Sequence, residues 1–206
     1  MRKKTKIIIS IIAVILILIA IPIVLIMLHD NVKNTGLQVG DLAPHFEGID
    51  QNGDKIILST LIQEGPVVLF FYRGFWCPYC NAYLNQLQDS LQMIENKGAN
   101  VLAITPEQEE YVKETIEKTT ASFSIISDKK LEIMKSYKVD FEVTEGKAFS
   151  YNLFGMDIKE TNVDGSKTLP VPATYIINTL GIIEYAHFNP DYKDRASVVE
   201  ILQSLK

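Results

Sequence analysis

The 206-residue chain is 47% hydrophobic and 22% charged, with 20 basic residues against 25 acidic ones and two cysteines. Such totals suit one globular domain that buries its core without disulfide staples, and they exclude a disordered chain, a collagen-like repeat and a disulfide-rich miniprotein. The charge is uneven: Arg2, Lys3, Lys4 and Lys6 precede 22 uncharged residues, and the other 16 basic residues face all 25 acidic ones, a net −9 that ill suits nucleic-acid phosphates.

Residues 1–6 read as a basic tip and residues 7–28 as an apolar run in which Ser10 is the one polar side chain. A helix of that length reaches roughly 33 Å, enough for a hydrocarbon core of about 30 Å. Pro22 lies near its far end, where membrane helices tolerate a kink. With the basic residues ahead of the run and His29, Asp30 and Asn31 behind it, the positive-inside bias places the N-terminus in the cytoplasm and the remaining chain across the membrane. Two other readings compete. A buried core helix is seldom this long or first in a chain. A cleaved signal peptide has an apolar part of usually about 7–15 residues ending near small ones, and no Ala-x-Ala pattern follows Leu28. An uncleaved anchor is the preferred reading.

Residues 29–38 read as a short tether to a domain spanning 39–206. Asn52-Gly53 signals a hairpin turn ahead of Lys55–Leu58. Gly65-Pro66 precedes Val67–Tyr72, an unbroken apolar run expected as a strand buried on both faces. Leu84, Leu87, Leu91 and Ile94 recur at helical spacing, with Gly98 as the stop. Val101–Thr105 is a second strand, and Pro106 is expected to open a polar helix to about Thr119. A strand at Ser124–Ile126 and a helix at Leu131–Tyr137 follow. Residues 140–167 are glycine-punctuated and weakly periodic, and read as an insertion. Thr174–Asn178 and Ile182–Phe188 form a hairpin, and a last helix is expected over about Arg195–Leu205. Strands alternating with helices, then a hairpin and helix, predict an α/β sandwich with a mixed sheet.

Both cysteines fall in Trp76-Cys77-Pro78-Tyr79-Cys80, between the buried strand and the amphipathic helix. Free N–H groups and the positive end of the helix dipole favour a thiolate there. The three-residue step lets one sulfur attack and the other resolve the mixed disulfide. Pro78 suits the first helical turn. A structural zinc site needs about four ligands; there is no second cysteine pair, and nothing in the spacing of His45 and His187 supplies the rest. A structural disulfide over so short a loop gains little. Redox chemistry without metal or nucleotide cofactor is the preferred reading. Ser90, Glu95 and the acidic run Glu107, Glu109 and Glu110 read as solvated helix positions.

Val67–Cys80, VVLFFYRGFWCPYC, resembles the thioredoxin superfamily, and within it peroxiredoxin-like proteins of the alkyl hydroperoxide reductase and thiol-specific antioxidant (AhpC/TSA) family. The resemblance runs from roughly Leu37 to Lys206. Gly40-Asp41-Leu42-Ala43-Pro44-His45-Phe46 is similar to the family's entry motif, and Leu169–Tyr175, LPVPATY, to the segment before the penultimate strand. It implies a thioredoxin-like, peroxiredoxin-type three-layer α/β sandwich with a mixed sheet, here preceded by one N-terminal transmembrane helix. It places on Pro172 a cis peptide facing the cysteines, the other reading being an ordinary loop proline. It makes Trp76 part of a substrate-facing apolar surface or a packing residue, and leaves Tyr79 exposed between the cysteines. Asn189-Pro190-Asp191-Tyr192 would lie near the site, although a capping turn explains it adequately.

The family's peroxidase pattern is proline, threonine four positions on and the peroxidatic cysteine three beyond; aligned here, these positions hold Arg73, Cys77 and Cys80, and only Cys80 matches. The family's arginine before a late strand has no counterpart in Val171–Tyr175. Arg73 is a substitute or a surface salt-bridge residue, and Arg195 is a weaker candidate for the same role, its other reading being the start of the last helix. The Pro-Tyr dipeptide is that of glutaredoxins, whose potentials lie at about −200 to −230 mV. Two mechanisms follow: a peroxidase forming a sulfenic acid on Cys80 that Cys77 condenses to a disulfide, or a thioredoxin-type exchange with Cys77 attacking first. The implied substrate is a peroxide or a protein disulfide. The implied electron source is a thiol reductant, thioredoxin-like or a membrane thiol-transfer protein. A binding module that recruits a partner through Trp76 and the Pro172 loop, without catalysis, is the third reading.

Overall fold

The structure, a computed structural model, describes residues 2–28 and 32–205. Helix α1 (Arg2–Leu28) is unbroken and contains Pro22. The side chains of the basic tip, several in the apolar run, and the first tether residues, 29–31, lie outside the described residues. Among the described residues, no helix is long and apolar enough to cross a membrane. The fold therefore does not show the expected membrane span.

Strands β1 (Glu47–Ile49) and β2 (Lys55–Ile57) form the hairpin expected around Asn52-Gly53, where Gly53 takes a φ of 89° that favours glycine. Helix α2 (Leu58–Glu64) leads through Gly65-Pro66 into β3 (Val67–Phe71), buried along its whole length. Helices α3 (Pro78–Asp89) and α4 (Leu91–Glu95) divide at Ser90 what the apolar spacing suggested was one helix. There follow β4 (Asn100–Thr105), α5 (Glu109–Thr119), β5 (Ser124–Ser127) and α6 (Glu132–Ser136). Next come β6 (Asp140–Glu142), α7 (Glu145–Leu153), α8 (Ile158–Thr161) and β7 (Thr168–Pro170). The chain ends with β8 (Ala173–Ile177), β9 (Ile183–Phe188) and α9 (Val198–Ser204).

The central sheet has the order β5-β4-β3-β8-β9. β3, β4 and β5 run parallel, and β8 and β9 are antiparallel to their neighbours. The period-two alternation of β3 divides the core. Val68, Phe70 and Tyr72 pack with Leu84 and Leu87 of α3, Val112 of α5 and Ile201 of α9. Val67, Leu69 and Phe71 pack on the other face with Leu58 of α2 and Met134 of α6. The result is a thioredoxin-like α/β fold with a mixed sheet, its central strand buried on both faces as such a run requires.

Two helix starts and the Pro172 peptide depart from expectation. α5 begins at Glu109, because Glu107 bridges to Asn162 and the Pro106 carbonyl accepts from Val163 N, which holds 106–107 extended. α9 begins at Val198 because Ser197 and Glu200 make a capping box, leaving Arg195 in the preceding loop. The 140–167 segment is ordered: β6 and β7 pair, and Phe141, Val143, Ile158, Leu169 and Val171 make a small core of their own. Pro172 is buried between β7 and β8, and among the described residues there is no cis peptide. Val171 N donates to the Val139 carbonyl at 2.7 Å, so the chain stays extended into β8.

Candidate active site

In open α/β sheets, ligand sites form at the carboxyl ends of strands where the strand order switches direction. β3 is such a strand, and its end delivers the loop Tyr72–Trp76 and then the cysteines. The loop closes tightly: Cys77 N donates to the Gly74 carbonyl at 3.0 Å, and Asn81 Nδ2 to the Phe75 carbonyl at 2.7 Å. Cys77 is the N-cap of α3 and Pro78 its first residue, where a missing N–H costs nothing. Cys80 lies in the first turn, among N–H groups without helical partners.

Neither cysteine is in a disulfide and both residues are buried, Cys77 at 3% exposure and Cys80 at 0%. Arg195 Nη2 donates to Cys80 Sγ at 3.5 Å, while its Nε is fixed by the Tyr192 carbonyl at 2.7 Å. Burial alone would push the Cys80 thiol up. The hydrogen bond from the Cys77 thiol, the charge of Arg195 and the Arg73 main-chain N–H outweigh it and bring Cys80 down to about 5. Cys77 moves the opposite way, well above the ordinary thiol range: it gives its hydrogen bond to Cys80, is itself desolvated, and faces the Cys80 charge. The pair therefore holds one proton on Cys77 and a thiolate on Cys80.

Arg73 is buried at 2% exposure, not engaged in a surface salt bridge. Its guanidinium lies over the rings of Tyr192 at 4.5 Å and Phe141 at 5.4 Å. A groove of about 220 Å³ runs beside Cys77, lined by Arg73, Trp76, Tyr79, Tyr151, Phe154 and Tyr192 among others. A larger cavity of about 500 Å³, lined by β1, β5 and α6 residues, includes none of these side chains.

A family model for the AhpC/TSA family matches residues 39–186, most of the domain that carries this site. The chain belongs to the AhpC/TSA family. It is 28% identical over 169 residues to the chloroplastic peroxiredoxin Q of Oryza sativa subsp. japonica, covering 81% of this chain and 67% of that one. It is 29% identical over 103 residues to peroxiredoxin Bcp of Escherichia coli (strain K12), covering 50% of this chain and 65% of that one. Its fold resembles the crystal structure of peroxidoxin BcpB from Mycobacterium tuberculosis with a TM-score of 0.64 at 20% identity, covering 82% of this chain and 96% of that one. As a member of this family the protein is a thiol-dependent oxidoreductase.

The spacing and helix-start position of the cysteines picked them out by sequence, but three neighbours took a different place from the one expected. Arg195, the weaker candidate for the family's arginine, does not open the last helix; its guanidinium contacts Cys80. Tyr192 is more than part of a capping turn, since its ring stacks on Arg73 and meets Tyr79 edge-on at 5.4 Å. Glu107 is not solvated: it is 0% exposed, and its Oε1 accepts from Phe75 N at 2.8 Å. Nothing local in the sequence signals this, because the pairing of Glu107 with Asn162 and of the Pro106 carbonyl with Val163 N is what keeps 106–107 out of the helix. Trp76 is half-buried against Tyr151, ring centroids 5.3 Å apart, with its indole nitrogen buried and unpartnered. Tyr79 is exposed at 43%, and Pro78 is exposed beside it. Pro172 takes no cis bond. Among the described residues, no group of three His, Cys, Asp or Glu side chains is placed to hold a metal ion.

Proposed function

We propose that this oxidoreductase is a thiol peroxidase in which Cys80 attacks peroxide and Cys77 resolves. The observation that carries this reading is the Arg195 guanidinium on the Cys80 sulfur. A thiolate attacking the near oxygen of ROOH forms an S–O bond and breaks the O–O bond. The departing RO⁻ takes a proton from solvent and leaves as ROH, and Cys80 becomes a sulfenic acid. Arg195 supplies the positive charge that holds the thiolate and stabilises the developing oxyanion. Cys77 then forms the S–S bond with Cys80; the sulfenic oxygen leaves as water with the Cys77 proton. A thiol reductant restores the dithiol by exchange, entering at Cys77, the sulfur that borders the groove.

Burial supports peroxide over a protein disulfide as the oxidant. A sulfur at 0% exposure is closed to the in-line approach of a folded protein's disulfide, and a peroxide, the smaller oxidant, needs the smaller opening to reach it. Cys77→Ser and Cys80→Ser variants test this. Rapid sulfenic acid formation on Cys80 in Cys77→Ser at low peroxide supports the assignment. Fast disulfide reduction with Cys77 as first attacker, and sluggish peroxide turnover, would overturn it.

We further propose that Ile7–Leu28 anchors the protein in the cell membrane, with its N-terminus cytoplasmic and the redox domain outside, and that a membrane thiol-transfer protein supplies electrons. The reading rests on the 22-residue apolar run and the basic residues before it. Alkaline extraction of membranes and protease digestion of intact cells test it: the full-length chain should stay with the membrane and its domain should be cut from outside. A domain protected until lysis would reverse the topology.

A further inference from the structure

Glu107 is a buried acid that the peroxidase steps above do not use. It is 0% exposed, at the carboxyl end of β4 directly beside the loop that leads to the cysteines. Oε1 accepts from Phe75 N at 2.8 Å, and Oε2 has only long contacts, at 3.5 Å, with the hydroxyls of Thr105 on β4 and Thr115 on α5. Ser127 of β5 donates its hydroxyl to the Glu107 main-chain carbonyl. Among the described residues no cation pairs with the carboxylate. The carboxyl also packs on Gly74, where a Cβ would run into Glu107 Oε1 and the Trp76 indole nitrogen, so no side chain separates it from the cysteine loop. The ionisable groups that couple to it most strongly are acids, Cys80 on α3, Tyr72 at the end of β3 and Tyr111 on α5. Of the cations facing this loop, Lys118 of α5 lies over the Phe75 ring at 4.2 Å and Arg73 over Tyr192 and Phe141.

A buried carboxylate without a cation favours its proton, and more strongly while a thiolate lies nearby. We propose that Glu107 is the proton store of the Cys77–Cys80 couple, protonated while the pair is reduced and releasing its proton when the disulfide forms. The inference rests on the reading of Cys77 and Cys80 as a cycling pair. Burial is the larger cause that raises this carboxyl, to about 8, and the Cys80 charge adds to it. Oxidation abolishes that charge, since both sulfurs enter the S–S bond, so the acid strengthens in the disulfide form.

Reduction of the disulfide by two electrons then takes up two protons, one by Cys77 and one by Glu107, while Cys80 stays a thiolate. Without Glu107 it takes up one. The equilibrium constant for reduction falls tenfold per pH unit for each proton consumed. Measured on the full-length protein between the oxidised-state pKa of Glu107 and about pH 8, the wild type should change about 100-fold per pH unit and Glu107→Gln about tenfold, or about 59 against 30 mV. Gln keeps an acceptor for Phe75 N, so a loop-positioning role alone predicts no change in slope. Equal slopes in the two proteins would overturn the inference. A wild type with no measurable dithiol–disulfide couple would instead sink the reading of the pair. Infrared difference spectra of the wild type give a second readout that needs no variant. A protonated carboxyl band should vanish on oxidation, and a band unchanged between the two states would also overturn the proposal.

Discussion

A sulfur removed from water prefers to keep its proton, and Cys80 is fully removed from it. Its charge survives because three donors converge on it, the Cys77 thiol, the Arg73 main chain and the Arg195 guanidinium. The reactive form is the thiolate, with a folded-state value of about 5. Peroxide consumption should therefore be flat above about pH 6 and fall tenfold per unit below 5, as single-turnover rates across pH will show. Arg195→Met should shift that inflection upward and slow the reaction on the order of 100-fold at pH 7. Glu107 gives the opposite linkage. Its folded-state value of about 8 lies above the ordinary carboxyl value of 4.5. The folded state thus binds the proton more tightly, and the associated stability is full below 4.5 and is lost as pH rises through 8. Glu107→Gln lacks this slope. Its stability relative to wild type should rise between pH 4.5 and 8 by a few kcal/mol at most, read by thermal or denaturant unfolding at each pH.

Among the elements, the loop between β9 and α9 brings Arg195 and Tyr192 to the cysteines, and its far end is fixed by one cap. Ser197 Oγ accepts from Glu200 N, and the Glu200 carboxylate accepts from Ser197 N. Ser197→Ala should cost about 1 kcal/mol of stability and, by loosening the Arg195 loop, slow peroxide consumption more than an equally destabilising change elsewhere on the surface. A rate that simply tracks the loss of stability would argue that the cap does not position the arginine. The sequence signal for the cap, Ser-x-x-Glu, lies at 197–200, inside the helix expected from Arg195. The helix expected from Pro106 likewise places Glu107 toward solvent. Local pattern locates a helix readily and its first turn poorly, because that turn is decided by partners from other elements, here Asn162 and Val163.

Across the molecule, what hydrophobic pattern alone controls was legible. The unbroken run of β3 and the short runs of β4 and β5 took their places in the parallel part of the sheet, and the terminal hairpin paired as expected. The cysteine pair was legible because two sulfurs at a helix start have few other uses. The site's remaining members come from segments far apart in the chain: Phe141 lies in the 140–167 segment, Tyr192 and Arg195 in the last loop, and Glu107 beyond β4. Single-residue context carries no information about such convergence. Arg73 shows this most directly, since its side chain rests on Phe141 and Tyr192 and joins three segments no spacing rule connects.

Cys77 caps the helix whose first turn contains Cys80, and each sulfur feels the other's charge. A pair one helical turn apart should close its disulfide without unwinding α3, which would shorten the interval between the first oxidation and resolution. A second peroxide molecule must arrive in that interval to carry the sulfur on to the irreversible sulfinic acid. The protein should accordingly survive peroxide in large excess over itself. Intact-mass measurement should find no added pair of oxygen atoms on the wild type under conditions in which Cys77→Ser accumulates them on Cys80. One turn of helix would then serve as the enzyme's protection against its own substrate.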